Sequence, residues 1–218
     1  LYAKASQGHF DDDVFGSRSF TTAGLEGNLL YDSRNNKPDP SSGFYLEGNI
    51  QPFYEFQYGN FATRFTAEGR TYYGFGEKDR VILAGRLKFG SIVGASIEDL
   101  PPSQLFLAGG GGSVRGYGYR NIGVSAGNGE IIGGRSLVEA NGEVRTRITD
   151  SIGAVAFVDA GYVGEKSFPD FSEQMRVGVG GGLRYLTGLG PIRLDVAVPL
   201  NRRSGDPSYG LYVGIGQA

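Results

Sequence analysis

Residues 181–200 read G-G-L-R-Y-L-T-G-L-G-P-I-R-L-D-V-A-V-P-L, and the second half of this stretch alternates strictly in polarity. Ile192, Leu194 and Val196 occupy one parity, opposite Arg193 and Asp195. Successive side chains of a β-strand point to opposite faces of a sheet. The stretch therefore predicts a strand with one apolar face and one charged face.

The same alternation runs through most of the chain. In residues 135–149 the Arg, Glu and Asn side chains share one parity, and residues 152–162 and 174–185 alternate in the same way. We predict ten antiparallel strands, at residues 1–9, 19–32, 43–56, 60–74, 79–95, 134–149, 152–163, 173–187, 190–200 and 208–218. Several are longer than the roughly 5–6 residues that are common in soluble proteins. Tilted membrane-spanning strands need about 9–11 residues.

Alternation alone does not tell which face meets solvent. A soluble antiparallel sandwich would turn its charged face to water, whereas a membrane barrel would turn that face inward and its apolar face to lipid. Strand length favours the barrel, and so does the alternation of short and long connections. The short ones are 74–78, 149–151 and 187–190, and the long ones are 96–133, 163–173 and 201–208. Residues 33–42 break this rule, because they form a long connection on the short side.

Composition excludes several classes of function. The chain has 218 residues, including 38 Gly, no Cys and one His, and its net charge is -2. The absence of Cys excludes a disulfide framework and a cysteine nucleophile, and a single His cannot build a multi-histidine metal site. The charge balance is atypical of a nucleic-acid binder, and the G-x-S-x-G motif of a lipase is missing. We therefore expect no enzymatic activity, no metal or other cofactor, and no nucleic-acid partner.

The longest connection, residues 96–133, contains G-G-G-G-S-V-R-G-Y-G-Y at positions 109–119. A phosphate-binding loop is excluded, since it would need a G-K-[S/T] ending followed by a helix. A plain glycine linker stays open as an alternative, although an arginine between aromatic flanks is unusual for a linker. A loop of this length inside a domain is commonly functional or disordered.

Residues 109–119 resemble the V-R-G-[F/Y] signature of outer-membrane assembly and translocation barrels, a superfamily that includes BamA, TamA and the two-partner secretion transporters. Residues 133–140, 154–161 and 181–200 resemble further segments of these proteins in the same order, and residues 31–43 resemble an upstream turn. The sequence of residues 181–200 is most similar to the TamA branch of this superfamily.

This resemblance implies a transmembrane β-barrel of sixteen strands, with the signature loop between the eleventh and twelfth. Sixteen strands would need about 350 residues at the spacing seen here. We therefore expect residues 1–218 to be the C-terminal portion of such a barrel, in the outer membrane of a Gram-negative bacterium. The implied function is to help insert or secrete other β-barrel proteins or autotransporters. The alternative is a two-partner-secretion-type transporter pore or a passive outer-membrane channel. The implied partners are outer-membrane lipids, client proteins and a periplasm-spanning TamB-like protein.

The resemblance also implies that the long loop folds back inside the barrel with its V-R-G-Y tip leading. The tip residues are Val114, Arg115, Gly116 and Tyr117. Parity independently places Glu143 and Asp159 on the charged face, and a buried arginine needs such partners because an unpaired buried charge is costly. Glycines would allow the loop backbone to approach the wall. They are Gly109, Gly110, Gly111 and Gly112 in the loop, with Gly178, Gly180 and Gly182 leaving room on the wall.

Two further expectations concern the strand ends. Gly210, Gly214 and Gly216 would weaken the last strand, whose free edge could then pair with a client strand. We expect Leu211, Val213, Ile215 and Gln217 to share one face of that strand. Tyr31, Phe44, Tyr73 and Tyr185 would form an aromatic girdle at the membrane surface, although core aromatics of a sandwich would give the same pattern.

Overall fold

The computed structural model describes residues 20–126 and 130–217. Within these residues the regular secondary structure consists of β-strands, apart from two short 3-10 turns at Glu77–Asp79 and Ile97–Asp99. The described part contains no helix that is long and apolar enough to cross a membrane. The strand predicted at residues 1–9 lies outside the described residues.

The structure has twelve strands in its described part. They are β1 (Thr22–Gly24), β2 (Gly27–Asp32), β3 (Ser42–Glu55), β4 (Asn60–Phe75), β5 (Val81–Val93), β6 (Val124–Ala126), β7 (Glu130–Ile132), β8 (Ser136–Arg147), β9 (Ile152–Gly164), β10 (Arg176–Tyr185), β11 (Ile192–Pro199) and β12 (Gly210–Ile215). Ten of them form one antiparallel sheet in the order β1-β3-β4-β5-β8-β9-β10-β11-β12, with β2 also beside β3, and β6 pairs with β7. The predicted all-β antiparallel architecture is confirmed.

Strands β1 and β2 together correspond to the single strand predicted at residues 19–32. Both pair with β3 in one register, in which Gly24 lies opposite Phe53 and Gly27 lies opposite Ile50. The break between them falls opposite Pro52, whose carbonyl accepts a hydrogen bond from Leu25 N at 3.0 Å. Proline has no N–H to return that bond, so the ladder is interrupted there.

The two faces of the large sheet differ sharply in polarity. The outer face presents apolar side chains to the surroundings, and Leu87 and Val213, for example, are 66% and 73% exposed. The inner face carries the charged residues and contacts the long loop. The four aromatic residues predicted for a girdle, Tyr31, Phe44, Tyr73 and Tyr185, are all exposed. They lie on the outer face near the strand ends at which the short turns are found.

The connections at the two ends of the sheet differ in length, with one exception at each end. The short turns 76–80, 148–151 and 186–191 lie at the same end as the longer segment 33–41. The opposite end holds the long loops 94–135, 165–175 and 200–209, but also the tight β3–β4 turn at residues 56–59. In its described residues, 94–126 and 130–135, this loop contains a 3-10 turn and the paired strands β6 and β7.

The main apolar core lies between this long loop and the inner face of the sheet. Phe53, Ala62 and Ile92 come from the loop-side ends of β3, β4 and β5, and all are buried. The loop supplies most of the other members, which are Ile97, Leu100, Leu105, Phe106, Ala108, Val114, Tyr117 and Ile122. Because the strands and the loop bury each other, the loop is held at the sheet as part of the fold.

The sheet remains open among the described residues. Strand β12 pairs with β11 alone, and at the other edge β1 and β2 pair with β3 alone. Strand β12 therefore presents one row of backbone N–H and C=O groups that no described strand satisfies.

Candidate functional site

The loop tip, residues 114–117, lies against the inner face of β9, β10 and β11. Gly116 adopts φ of +97°, a backbone conformation that residues with a Cβ rarely take. A Cβ on Gly116 would lie 2.9 Å from the backbone nitrogen of Pro199 and from the carbonyl carbon of Val198. Only glycine allows the chain both to turn here and to pass so close to β11.

Arg115 is buried among three carboxylates in the described part of the chain. Its Nε and Nη2 donate to the two oxygens of Asp159 at 2.6 and 2.9 Å, and its backbone N–H donates to the same carboxylate at 3.1 Å. Nη2 also lies 2.7 Å from an oxygen of Glu143, and Nη1 lies 3.4 Å from Asp195. The Arg115 side chain is only 2% exposed. The two acidic residues expected from parity thus both contact Arg115, together with one that was not expected.

Two further arginines complete this cluster. Arg145 pairs with Glu143 at 2.8 Å, and Arg184 pairs with Asp195. The cluster thus comprises three guanidinium groups and three carboxylates. Charge-assisted and bidentate hydrogen bonds are stronger than neutral ones, but the cost of removing the charged groups from water offsets much of their energy. Such a cluster fixes the position of the loop tip, and removal of one member would leave a buried charge unpaired.

Glycines of β10 provide the space for Arg115. A Cβ on Gly178 would collide with the carbonyl oxygen of Arg115, and one on Gly182 would collide with the carboxylate of Asp195. A Cβ on Gly180 would lie 2.5 Å from the ring of Phe157. That ring in turn lies 3.4 Å from Cζ of Arg115, a cation–π contact. Because β10 has no side chain at these three inner positions, Arg115 reaches carboxylates on both neighbouring strands, β9 and β11.

Val114 is held by packing, and Tyr117 is held by packing and by a hydrogen bond from its hydroxyl. Val114 is fully buried against Gly161 of β9, where a Cβ would lie 2.5 Å from a methyl group of Val114. Tyr117 is 1% exposed, and its hydroxyl donates to Oδ1 of Asn201 at 2.6 Å. The same Asn201 oxygen accepts the backbone N–H of Val177 at 2.9 Å. Tyr117 thus ties the loop tip to β10 and to the start of the β11–β12 connection.

The four loop glycines differ in their surroundings. Gly109 and Gly110 have positive φ values of +105° and +99°. A Cβ on Gly111 would lie 2.9 Å from Cδ1 of Tyr212, whereas one on Gly112 would meet nothing within 4 Å. Close approach therefore requires glycine at Gly111, whereas Gly112 has free space.

The glycines of the last strand make room for inner side chains. A Cβ on Gly210 would collide with the hydroxyl of Tyr212, and one on Gly214 would lie 2.8 Å from Nε of Arg193. Gly216 follows the strand with φ of +85°. The predicted face is wrong for Gln217, because the turn at Gly216 directs its side chain inward. There it accepts a hydrogen bond from Arg184 at 3.1 Å and donates one to Asp39 at 2.8 Å.

Six residues of the site were not singled out from the sequence: Arg145, Phe157, Arg184, Asp195, Asn201 and Tyr212. Asp195 lies on the charged parity of its strand, so the pattern contained a usable signal. Tyr212 likewise lies on the parity opposite Leu211 and Val213, whereas Asn201 carried no signal, because a single asparagine at a strand end is ordinary. Among the residues that the structure describes, no group of His, Cys, Asp or Glu is arranged to hold a metal ion.

The chain is similar to several known proteins. The model of the Omp85 superfamily domain matches residues 3–218. The Arabidopsis thaliana outer envelope protein 39, chloroplastic, is 34% identical over 124 residues, which cover 53% of this chain and 31% of that protein. The crystal structure of BamA from Haemophilus ducreyi lacking POTRA domains 1-3 superposes with a TM-score of 0.70 at 22% identity, covering 89% of this chain and 42% of that one.

CdiB from Acinetobacter baumannii shares the fold with a TM-score of 0.59 at 18% identity, covering 91% of this chain and 34% of that chain. The chain therefore spans about a third to two fifths of the length of these relatives. The match of the family model over nearly the whole chain identifies the fold as an outer-membrane β-barrel domain. The chain belongs to the Omp85 superfamily.

Proposed function

We propose that this chain is the C-terminal barrel region of a TamA-like protein in the outer membrane of a Gram-negative bacterium, where it helps to insert or secrete β-barrel proteins or autotransporters. The observation that carries this proposal is the position of the loop tip. A buried ion cluster fixes Arg115 to β9 and β11, directly beside β12, whose outer edge no described strand covers. Membership in the Omp85 superfamily supports the same general role in assembly or secretion.

The physical route would be pairing of a client strand with β12. An unpaired strand edge can accept a further strand, since its N–H and C=O groups are unsatisfied. Strand β12 is short, at six residues, and it has no side chain of its own at the inner positions Gly210 and Gly214. Its pairing with any neighbour is therefore weak enough to be exchanged. The site residues of the loop tip and wall would control when this strand is accessible.

The proposed partners correspond to two exposed surfaces, the outer face of the sheet and the free edge of β12. The exposed apolar side chains of the outer face would contact outer-membrane lipids, and the edge of β12 would contact clients. We also propose a periplasm-spanning TamB-like partner, as the TamA-like sequence pattern suggests. No bond-breaking chemistry is proposed, because the inner face offers paired ions rather than an activated nucleophile, and neither a cofactor nor a nucleic acid enters the proposal.

The experiment compares Arg115→Ala with Arg120→Gln in the full-length protein, reconstituted in vesicles of outer-membrane lipids. Insertion of a β-barrel or autotransporter client is measured by its protection from added protease. Arg115→Ala should reduce insertion strongly, because the loop tip loses its ion pairs, whereas Arg120→Gln alters an exposed arginine of the same loop and should not.

Insertion at the wild-type rate by folded Arg115→Ala would contradict the proposed role of the loop tip. Client-independent conductance of the vesicles, without insertion of any client, would instead favour the alternative of a secretion pore or passive channel.

A further inference from the structure

We propose that Tyr212 is the positioning residue that couples the loop tip to the last strand, so that displacement of the tip releases β12. This inference rests on the proposed function only for its biological consequence. The coupling itself is a property of the fold. Tyr212 lies in the middle of β12, opposite Asp195 of β11, and its side chain points to the inner face.

The hydroxyl of Tyr212 is hydrogen-bonded twice to the backbone of the loop tip. It accepts from the N–H of Gly116 at 2.9 Å and donates to the carbonyl oxygen of Tyr117 at 3.2 Å. Both groups belong to the main chain of the V-R-G-Y segment, so the contact depends on where the tip lies. If the tip moves, the hydroxyl loses a donor and an acceptor together.

The ring of Tyr212 is held between the loop and the cluster around Arg115. It packs against the buried group formed by Val155, Phe157 and Ala197. Phe157 is the residue whose ring contacts the guanidinium of Arg115. On the other side, Gly111 of the loop approaches the ring so closely that a Cβ there would lie 2.9 Å from Cδ1. The same loop thus contacts Tyr212 at Gly111 and at Gly116.

Strand β12 has little else to hold its inner face. Its outer side chains, Leu211, Val213 and Ile215, are more than half exposed, and its other inner positions within the strand are Gly210 and Gly214. Beyond the backbone ladder with β11, the strand itself is therefore held by Tyr212. The neighbouring Gln217 holds the chain at the far end of β12, through Asp39 and Arg184, independently of the loop tip.

The test measures amide hydrogen exchange of residues 210–215 in the full-length protein embedded in lipid nanodiscs. Tyr212→Phe keeps the ring and removes both hydrogen bonds to the tip, so exchange in β12 should rise about tenfold. Tyr209→Phe is the matched control, since Tyr209 is exposed just before β12, and exchange there should stay at the wild-type value.

A double-variant cycle separates coupling from simple weakening of the strand. Arg115→Ala should raise β12 exchange in the wild-type background but should add little in the Tyr212→Phe background, because the connection is already broken. Unchanged β12 exchange in Tyr212→Phe would overturn the proposal, and so would full additivity of the two substitutions.

A second pair of variants tests the coupling from the loop side, should Tyr212→Phe fail to fold. Gly111→Ala should displace the Tyr212 ring and raise β12 exchange, whereas Gly112→Ala adds a methyl group in open space and should leave it unchanged. Equal exchange in these two variants would contradict the proposal. Client insertion is measured in parallel: if β12 exchange is coupled but insertion is normal in every variant, the coupling stands and the proposed function fails.

Discussion

Arg115 and Asp159 form a bidentate ion pair that joins residues 44 positions apart in the sequence, with side chains that are 2% and 0% exposed. The backbone N–H of Arg115 donates to the same carboxylate, so Asp159 fixes both the side chain and the main chain of the loop tip. Glu143 contacts Nη2 as well, and Asp195 lies 3.4 Å from Nη1. The pair is therefore the centre of the contact between the loop and the barrel wall.

Asp159→Asn should destabilise the protein by about 3 kcal/mol, because it leaves part of a buried guanidinium charge without its partner. The measurement is urea-induced unfolding of the full-length protein in lipid vesicles. Asp150→Asn is the matched control, since Asp150 is exposed in the β8–β9 turn. Equal unfolding midpoints for the two variants would show that Asp159 does not hold the loop.

Gly178→Ala should displace the loop tip and cost about 1–3 kcal/mol of stability, because the new methyl group would occupy the space of the Arg115 carbonyl oxygen. Gly48→Ala introduces the same methyl group in β3, where nothing lies within 4 Å. Protease cleavage within residues 94–135 reports displacement of the loop. The expectation fails if the two variants are cleaved at the same rate.

Tyr117→Phe should cost about 1 kcal/mol, the usual net value of one hydrogen bond, because the bond from its hydroxyl to Asn201 is lost while the ring stays packed. Tyr119→Phe serves as the control, as Tyr119 is 83% exposed in the same loop. The difference in unfolding midpoint between the two variants measures the effect, and no difference would contradict it.

The stabilising contribution of Asp170 to the loop 165–175 should be lost only in acid. Hydrogen bonds from Lys166, Ser172 and Tyr162 hold the pKa of Asp170 well below its usual range. A depressed carboxyl pKa stabilises the folded state fully above the unfolded value, about 3.9, and this contribution disappears as pH falls through the folded-state pKa. Wild type should therefore exceed Asp170→Asn in stability at neutral pH, and the difference should shrink below about pH 4.

Thermal unfolding of wild type and Asp170→Asn at a series of pH values checks this expectation. Glu165→Gln, which changes another exposed acid of the same loop, controls for the general effect of removing a negative charge. A difference between wild type and Asp170→Asn that stays constant from neutral pH into acid would contradict the assignment.

Much of the fold could be predicted because alternation is a local property. A strand with one apolar and one charged face needs a side-chain period of two, and residues 192–200 show this without any neighbour. Each predicted strand that lies within the described residues has a counterpart in the sheet. The sequence could not show the break between β1 and β2, because it arises where Pro52 of a different strand faces Leu25.

The site could be predicted only in part. Parity placed Glu143 and Asp159 on the charged face, and the structure puts both in contact with Arg115. Asp195 was missed because its contact with Arg115 crosses the glycine positions of β10, and such a crossing depends on register between three strands. Gln217 was placed on the wrong face because parity fails after the positive φ of Gly216.

The sequence by itself determined the strands, their two faces, the position of the long loop and the family. All of these depend on local periodicity or on short motifs. Only the tertiary structure decided which carboxylates surround Arg115, that Tyr117 bonds to Asn201, and that Tyr212 joins the loop tip to the last strand. The contacts of Arg115 with Asp195, of Tyr117 with Asn201 and of Gly116 with Tyr212 join residues 80 or more positions apart. They depend on strand register and on the absence of side chains at Gly178 and Gly210, which no local pattern encodes.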